Sequence, residues 1–178
     1  SGFIALVAPL VERGLLSADA RLSAFSLTGY SGGGKKMIAE YESAQRDSLL
    51  GAPRMYGIAQ AHKHLPEMQK LCGLACAPVF CPIVGDFYSG MEVTVPLFAE
   101  EINGTAEQVK EVLKKAYPAG LVYFEENADE NGFLSAAKLS AKDKMEISVH
   151  GDQDVILLTA RYDNLGKGAS GAAIECMN

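Results

Sequence analysis

Two of the three histidines in this chain stand two residues apart in Ala61-His62-Lys63-His64-Leu65-Pro66-Glu67-Met68. Imidazole exchanges protons near neutral pH, so the stretch is a candidate for general acid/base work. Pro66 suits the first turn of a helix. Glu67 follows His64 by three residues, and one helical turn puts the two on a shared face. There the carboxylate can orient the imidazole and stabilise its charged form. A solvated polar turn competes with this reading on level terms. An H-x-H metal pair is a third alternative, but it needs further ligands, and no second His or Cys cluster supplies them.

Two glycine-rich segments follow strand-like runs and lead into helices. In Thr28-Gly29-Tyr30-Ser31-Gly32-Gly33-Gly34-Lys35-Lys36 the glycines allow close backbone approach to a ligand. Free N–H groups at a helix start can receive an anion, with Lys35 or Lys36 adding charge. The Walker spacing is absent, and a flexible connector explains the glycines more simply. In Arg161-Tyr162-Asp163-Asn164-Leu165-Gly166-Lys167-Gly168-Ala169-Ser170-Gly171 small residues again cluster before a helix. They permit a planar ligand to approach, and tight helix packing accounts for some of them equally well. Asp163 or Asn164 can simply cap the turn.

Three of the four cysteines, Cys72, Cys76 and Cys81, fall within ten residues without paired C-x-x-C spacing. Reduced core thiols and a cytoplasmic location are the expectation, with no metal bound. A Cys/His hydrolase pairing one of them with His64 is the sharper alternative.

The elements that must position these groups alternate in type. Residues 3 to 13 read as a helix, with Phe3, Leu6, Val7, Leu10 and Val11 on one stripe. Leu22 to Thr28 reads as a strand, Lys35 to Ala44 as a helix, and Pro66 to Leu71 as a helical turn. Val79 to Phe87 and Met91 to Phe98 read as a hairpin through Tyr88-Ser89-Gly90. Thr105 to Gln108 fits a capping box that opens a helix to Tyr117. Leu121 to Phe124 is a short strand. Lys144 to His150 and Asp154 to Tyr162 form a second hairpin. A closing helix runs from Ala169 to Asn178. Hairpins imply a largely antiparallel sheet, so the expectation is one α+β domain with helices on one face.

The 178 residues are 48% hydrophobic with a net charge of -6, which suits one domain with a real core. The acidic balance argues against general binding to nucleic acid or anionic membranes. No apolar run reaches the roughly 20 residues of a membrane helix. The abrupt helical start and finish are read as an excised piece of a longer chain.

Taken together, the segments resemble the short form of N-acetyl-gamma-glutamyl-phosphate reductase. The stretches that carry the resemblance are Gly2-Phe3-Ile4-Ala5-Leu6-Val7-Ala8-Pro9-Leu10-Val11, Ser31-Gly32-Gly33-Gly34-Lys35, Ala61 to Met68 and Asp163 to Gly171, in the family's order. The resemblance implies a fold like the C-terminal domain of glyceraldehyde-3-phosphate dehydrogenase. It implies a parent enzyme with a preceding Rossmann domain for NADP, which reduces an acyl phosphate through a cysteine thioester in arginine biosynthesis. Ser1-Gly2 matches the end of the family's Gly-Cys-Tyr-x-Thr-Gly motif, so the nucleophile falls three residues before Ser1 and the isolated chain is expected to be inactive. His64 is then the first choice for acid/base and His62 the second, with Glu67 orienting one of them. Ser31, Gly32 and Lys35 are implied to meet substrate. Asn164 is implied to hold the nicotinamide, with Gly166 and Lys167 beside it. A homo-oligomer, dimer or tetramer, is implied. A carrier-linked aminoadipyl-phosphate reductase of lysine biosynthesis is the near alternative, and a non-catalytic dimerisation module the distant one.

Overall fold

A computed structural model describes residues 1–166. Lys167 and the expected closing helix from Ala169 lie outside the described residues. The first helix, α1 (Gly2–Glu12), buries Phe3, Leu6, Val7 and Leu10 on the stripe read from the sequence. Pro9 sits inside it and cannot donate to the Ala5 carbonyl one turn back. The Tyr117 hydroxyl donates to that oxygen instead, at 2.9 Å.

Seven described strands form one sheet. They are β1 (Ser23–Gly29), β2 (Arg54–Met55), β3 (Val79–Gly85), β4 (Met91–Phe98), β5 (Val122–Phe124), β6 (Met145–Gly151) and β7 (Val155–Tyr162). Their order is β2-β3-β1-β4-β7-β6-β5. The β1–β3 and β5–β6 pairs are parallel, and the other four pairings are antiparallel. The expected α+β class holds, with a mixed and largely antiparallel sheet.

One expected pairing differs. β3 and β4 are not a hairpin, because β1 lies between them, parallel to one and antiparallel to the other. Neighbouring strands lie about 4.8 Å apart, so the connection must cross roughly 10 Å, which five residues span easily. The loop pairs instead with the end of β1. Gly29 N–H donates to Gly90 O, Tyr30 N–H to Phe87 O and Ser31 N–H to Tyr88 O. The second hairpin is present as read, with Met145 opposite Tyr162 and Gly151 opposite Ile156.

Three further helices are α2 (Gly34–Glu42), α3 (Leu65–Leu71) and α4 (Ala106–Ala116). The capping box on α4 forms: Thr105 Oγ1 accepts from Gln108 N–H at 3.3 Å and Gln108 Oε1 accepts from Thr105 N–H at 2.9 Å. The main core joins α1, α3 and α4 to one sheet face through Val93, Val95 and Leu97 of β4 and Ile156, Leu158 and Ala160 of β7. Tyr41 of α2 packs in a smaller cluster with Leu50 and Val84.

Strand alternation sends the neighbouring positions to the opposite face. At β6 and β7 that face carries Glu146 and Arg161, a cross-strand pair 2.6 Å apart and almost fully buried. The loop between β5 and β6 folds over them. Glu130 reaches Arg161 at 2.9 Å, and Lys138 bridges Glu130 at 3.1 Å and Glu146 at 3.3 Å. At β1, β3 and β4 the same face is open, with Phe25, Val79 and Phe98 exposed.

Candidate active site

The ends of β1 and β7, the start of β4, the first turn of α1 and the start of α3 converge on one cavity of about 390 Å³. Its wall includes Gly2, Thr28, Gly32, His62, Lys63, His64, Glu67, Tyr162 and Asn164. Segments separated by more than a hundred residues in sequence meet here because those strand ends lie side by side. A larger cavity of about 590 Å³ opens at the other end of the sheet, by the start of α4 and the β6–β7 turn. It holds His150 but neither of the glycine-rich segments nor the His62–Glu67 stretch. Size alone therefore does not mark the chemistry.

His64 immediately precedes α3, and Pro66 occupies the first turn. The turn brings His64 Nδ1 to 3.0 Å from Glu67 Oε2. A carboxylate only accepts, so Nδ1 carries a proton, and in the neutral ring Nε2 keeps its lone pair. His62 is bound differently. Its Nδ1 accepts from the His64 backbone N–H at 3.3 Å, which puts the proton of the neutral ring on Nε2. The ring lies edge-on against Phe80, with centroids 5.1 Å apart. Burial lowers the His62 pKa, and the neighbouring His64 and Lys63 lower it further. His62 is thus held neutral as a donor, while His64 offers an acceptor nitrogen backed by a carboxylate.

Asn164 ties three elements together. Its Oδ1 accepts from Gly90 N–H at 3.0 Å, and its Nδ2 donates to Gly29 O and Ser31 Oγ, both at 3.2 Å. Both amide protons are engaged, and one Oδ1 lone pair remains. Gly32 packs against this amide so closely that a Cβ would lie 2.9 Å from Nδ2. Asp163 caps the turn: Oδ1 accepts from Leu165 and Gly166 N–H at 2.7 and 2.9 Å, and Oδ2 from Ala141 N–H. Burial opposes ionisation of Asp163, yet these N–H groups and the Ser89 hydroxyl hold its pKa below the usual value.

The first turn of α1 is seated on the end of β7. Gly2 N–H donates to the Tyr162 hydroxyl at 3.3 Å. A Cβ at Gly2 would approach Tyr162 Cε1 to 2.8 Å, so only glycine lets the helix start this close.

Among the residues expected at a site, His62, His64, Glu67, Gly32 and Asn164 share the cavity wall. Ser31 is buried behind Asn164, Lys35 is exposed away from the wall, and the Gly166 N–H is bound to Asp163. Thr28, Tyr162 and Lys63 line the wall without having been assigned a role in the sequence. Lys63 stood inside the quoted histidine motif, and its position there was the available signal.

Two alternatives find little support. Among the described residues no three His, Cys, Asp or Glu side chains converge as metal ligands. Cys72, Cys76 and Cys81 are free thiols off the cavity wall. Burial pushes the Cys72 thiol up to about 11, which keeps it protonated and unreactive.

A family model described as semialdehyde dehydrogenase, dimerisation domain, matches residues 1–164. Proteins named N-acetyl-gamma-glutamyl-phosphate reductase from Brucella ovis and Brucella suis are each 42% identical, across 100% of this chain and 60% of the relative. The chain therefore spans less than two thirds of the length of the curated relatives it matches. Among solved structures, aspartate semialdehyde dehydrogenase II from Vibrio cholerae superposes with a TM-score of 0.67 at 19% identity, over 97% of this chain and 56% of that one. Aspartate semialdehyde dehydrogenase from Francisella tularensis gives 0.64 at 13% identity, over 93% and 58%. At such identities the superpositions speak to the fold alone.

Proposed function

The chain belongs to the semialdehyde dehydrogenase dimerisation-domain family, and we propose that it is the acid/base and self-association part of an N-acetyl-gamma-glutamyl-phosphate reductase. The reaction is NADPH-dependent reduction of the acyl phosphate to N-acetylglutamate 5-semialdehyde and phosphate, through a thioester on a cysteine. The observation that carries the reading is the His64–Glu67 pair in one cavity with the first turn of α1 and Asn164. The 42% identity across the whole chain supports the substrate. The thiol and the dinucleotide-binding domain belong, on this reading, to the rest of the relatives' length, and residues 1–178 alone are inactive.

His64 Nε2 takes the hydroxyl proton when the tetrahedral adduct opens to the aldehyde, and it returns a proton in the reverse direction. Glu67 holds the Nδ1 proton, fixes the ring and offsets the positive charge that develops on it. His62 stays neutral and donates from Nε2. The first turn of α1 lies at the cavity, and the positive end of a helix favours an ionised sulfur placed beside it. NADPH, when bound, supplies the hydride. Asn164 fits its carboxamide, because the remaining Oδ1 lone pair can accept an amide N–H at the cavity wall. Gly32 keeps that amide in place, and Ser31 braces it from behind.

Self-association uses the open sheet face that carries Phe25, Val79 and Phe98. Those exposed apolar groups lie opposite the helices, where a second copy can cover them. The free thiols suit a reducing cytoplasm.

The test is NADP reduction by the protein that joins these residues to its nucleotide-binding domain and thiol. It is given N-acetylglutamate 5-semialdehyde and phosphate. Phosphate-dependent turnover supports the reading. Turnover confined to a carrier-linked aminoadipate semialdehyde would move the substrate, and no turnover with either would sink the enzymatic reading.

A further inference from the structure

Among the described residues, Lys63 is the one lysine or arginine on the wall of the cavity that holds His64 and Asn164. Among the described residues no ion pair or hydrogen bond engages its ammonium. Its neighbours are already committed: Glu67, the acidic residue on the same wall, has its carboxylate on His64 Nδ1 at 3.0 Å. The cavity therefore presents an uncompensated positive charge beside the acid/base pair. The chain as a whole carries -6, so this charge stands against an acidic background. Lys63 is exposed at the mouth of the cavity, and a cation at the mouth of a concave site draws anions toward it. Lys35, the cation of the glycine-rich loop, is exposed and off the wall.

We propose that Lys63 is the substrate-recognition cation of this site, receiving an oxyanion of the substrate while the histidine after it handles the proton. The proposal rests on the acyl-phosphate reading, since that substrate carries both a phosphoryl group and a carboxylate. A flexible ammonium suits either, as a point charge without the fixed geometry of a guanidinium. Placing it next in sequence to His64 couples anion capture to the position of the base.

The test separates the cation from the reaction. Inorganic phosphate, and separately N-acetylglutamate, is titrated into the 178-residue chain while backbone amide resonances of Gly32, His64 and Asn164 are followed. Wild type is expected to show saturable shifts with at least one of the two probes. Lys63→Gln is expected to weaken that binding at least about tenfold, as for loss of a charged hydrogen-bond partner. Lys63→Arg is expected to restore most of it. The probe that loses affinity identifies the oxyanion, phosphoryl or carboxylate. Shifts equal in Lys63→Gln and wild type, or none in wild type with either probe, would overturn the proposal. In the longer enzyme the same variant should raise the KM of the matching reactant while kcat changes less. An enzyme that binds the anion through Lys63 yet turns over neither semialdehyde would refute the reductase reading and leave this one standing.

Discussion

His64 Nδ1 faces Glu67 Oε2 at 3.0 Å, across one turn at the start of α3, and this contact decides which histidine has a nitrogen free to take a proton. His62 has its Nδ1 occupied by the His64 amide. Replacement of His64 by Asn should lower kcat about a hundredfold or more, the usual size of a general acid/base contribution. His62→Asn should cost less than about tenfold on the same scale. Glu67→Gln should fall between them and alter the pH profile of kcat/KM, since the ring keeps its place but loses the carboxylate. Steady-state kinetics of the three variants decides the matter. Equal losses for His62→Asn and His64→Asn would contradict the assignment.

Tyr162 fastens the start of α1 to the end of β7 through the Gly2 amide. The hydroxyl is deeply buried, and burial pushes its pKa up to about 12, so it stays a neutral phenol across the working range. Tyr162→Phe should destabilise the chain by about 1 kcal/mol, the net value of one hydrogen bond. Gly2→Ala should be worse, because the methyl group meets the ring. Urea midpoints of the two variants, with amide exchange at Gly2, test the ranking.

The Pro9 turn of α1 depends on a borrowed donor. Tyr117 supplies the proton that Pro9 lacks to the Ala5 carbonyl. Tyr117→Phe should therefore cost roughly 1–3 kcal/mol in wild type, the range for an unsatisfied buried acceptor. In a Pro9→Ala background the helix can bond Ala5 itself, and the cost of Tyr117→Phe should shrink. A double-mutant cycle measured by denaturant unfolding shows the coupling, and strict additivity would refute it.

The charge cluster beneath the β5–β6 loop makes stability pH-dependent at the acid end. Burial opposes ionisation of Glu130, but hydrogen bonds from Arg161, the Ser135 N–H and Lys138 outweigh it and hold the carboxyl at about 2. An unfolded Glu has a pKa of about 4.3. The folded value is depressed, so the contribution is present above about 4.3 and is lost as pH falls through about 2. Protection of the loop amides should drop within that window, and Glu130→Gln should flatten the slope. Arg161→Ala should be far more damaging, about 3 kcal/mol, because the buried Glu146 loses its 2.6 Å partner and keeps the Lys138 ammonium and the Tyr123 hydroxyl on its other oxygen. Joint replacement of Arg161 and Glu146 by apolar residues should recover much of that loss.

Much of the fold was legible along the chain. The apolar stripe of α1, the Thr105–Gln108 box and the β6–β7 hairpin are local patterns, each set by the 3.6- or 2-residue period or by a capping side chain a few residues away. The His64–Glu67 contact was legible for the same reason, since three residues of helix bring the two together. Strand order was not. Met91 to Phe98 follows Val79 to Gly85 closely, yet β1 from far upstream stands between them, because a connection's length limits its reach without naming its neighbour. The buried partnership of Arg161 with Glu130 and Glu146 was equally hidden, since a lone Arg and scattered Glu look like surface charge until a loop folds over them. The division of labour at the site also waited for the tertiary structure. Residue types marked His62, His64 and Lys35 as capable of chemistry or binding, and the family resemblance added Asn164. Only packing left His62 neutral against Phe80, turned Lys35 outward, set Lys63 on the cavity wall and committed both amide protons of Asn164 to Gly29 and Ser31, more than a hundred residues before it.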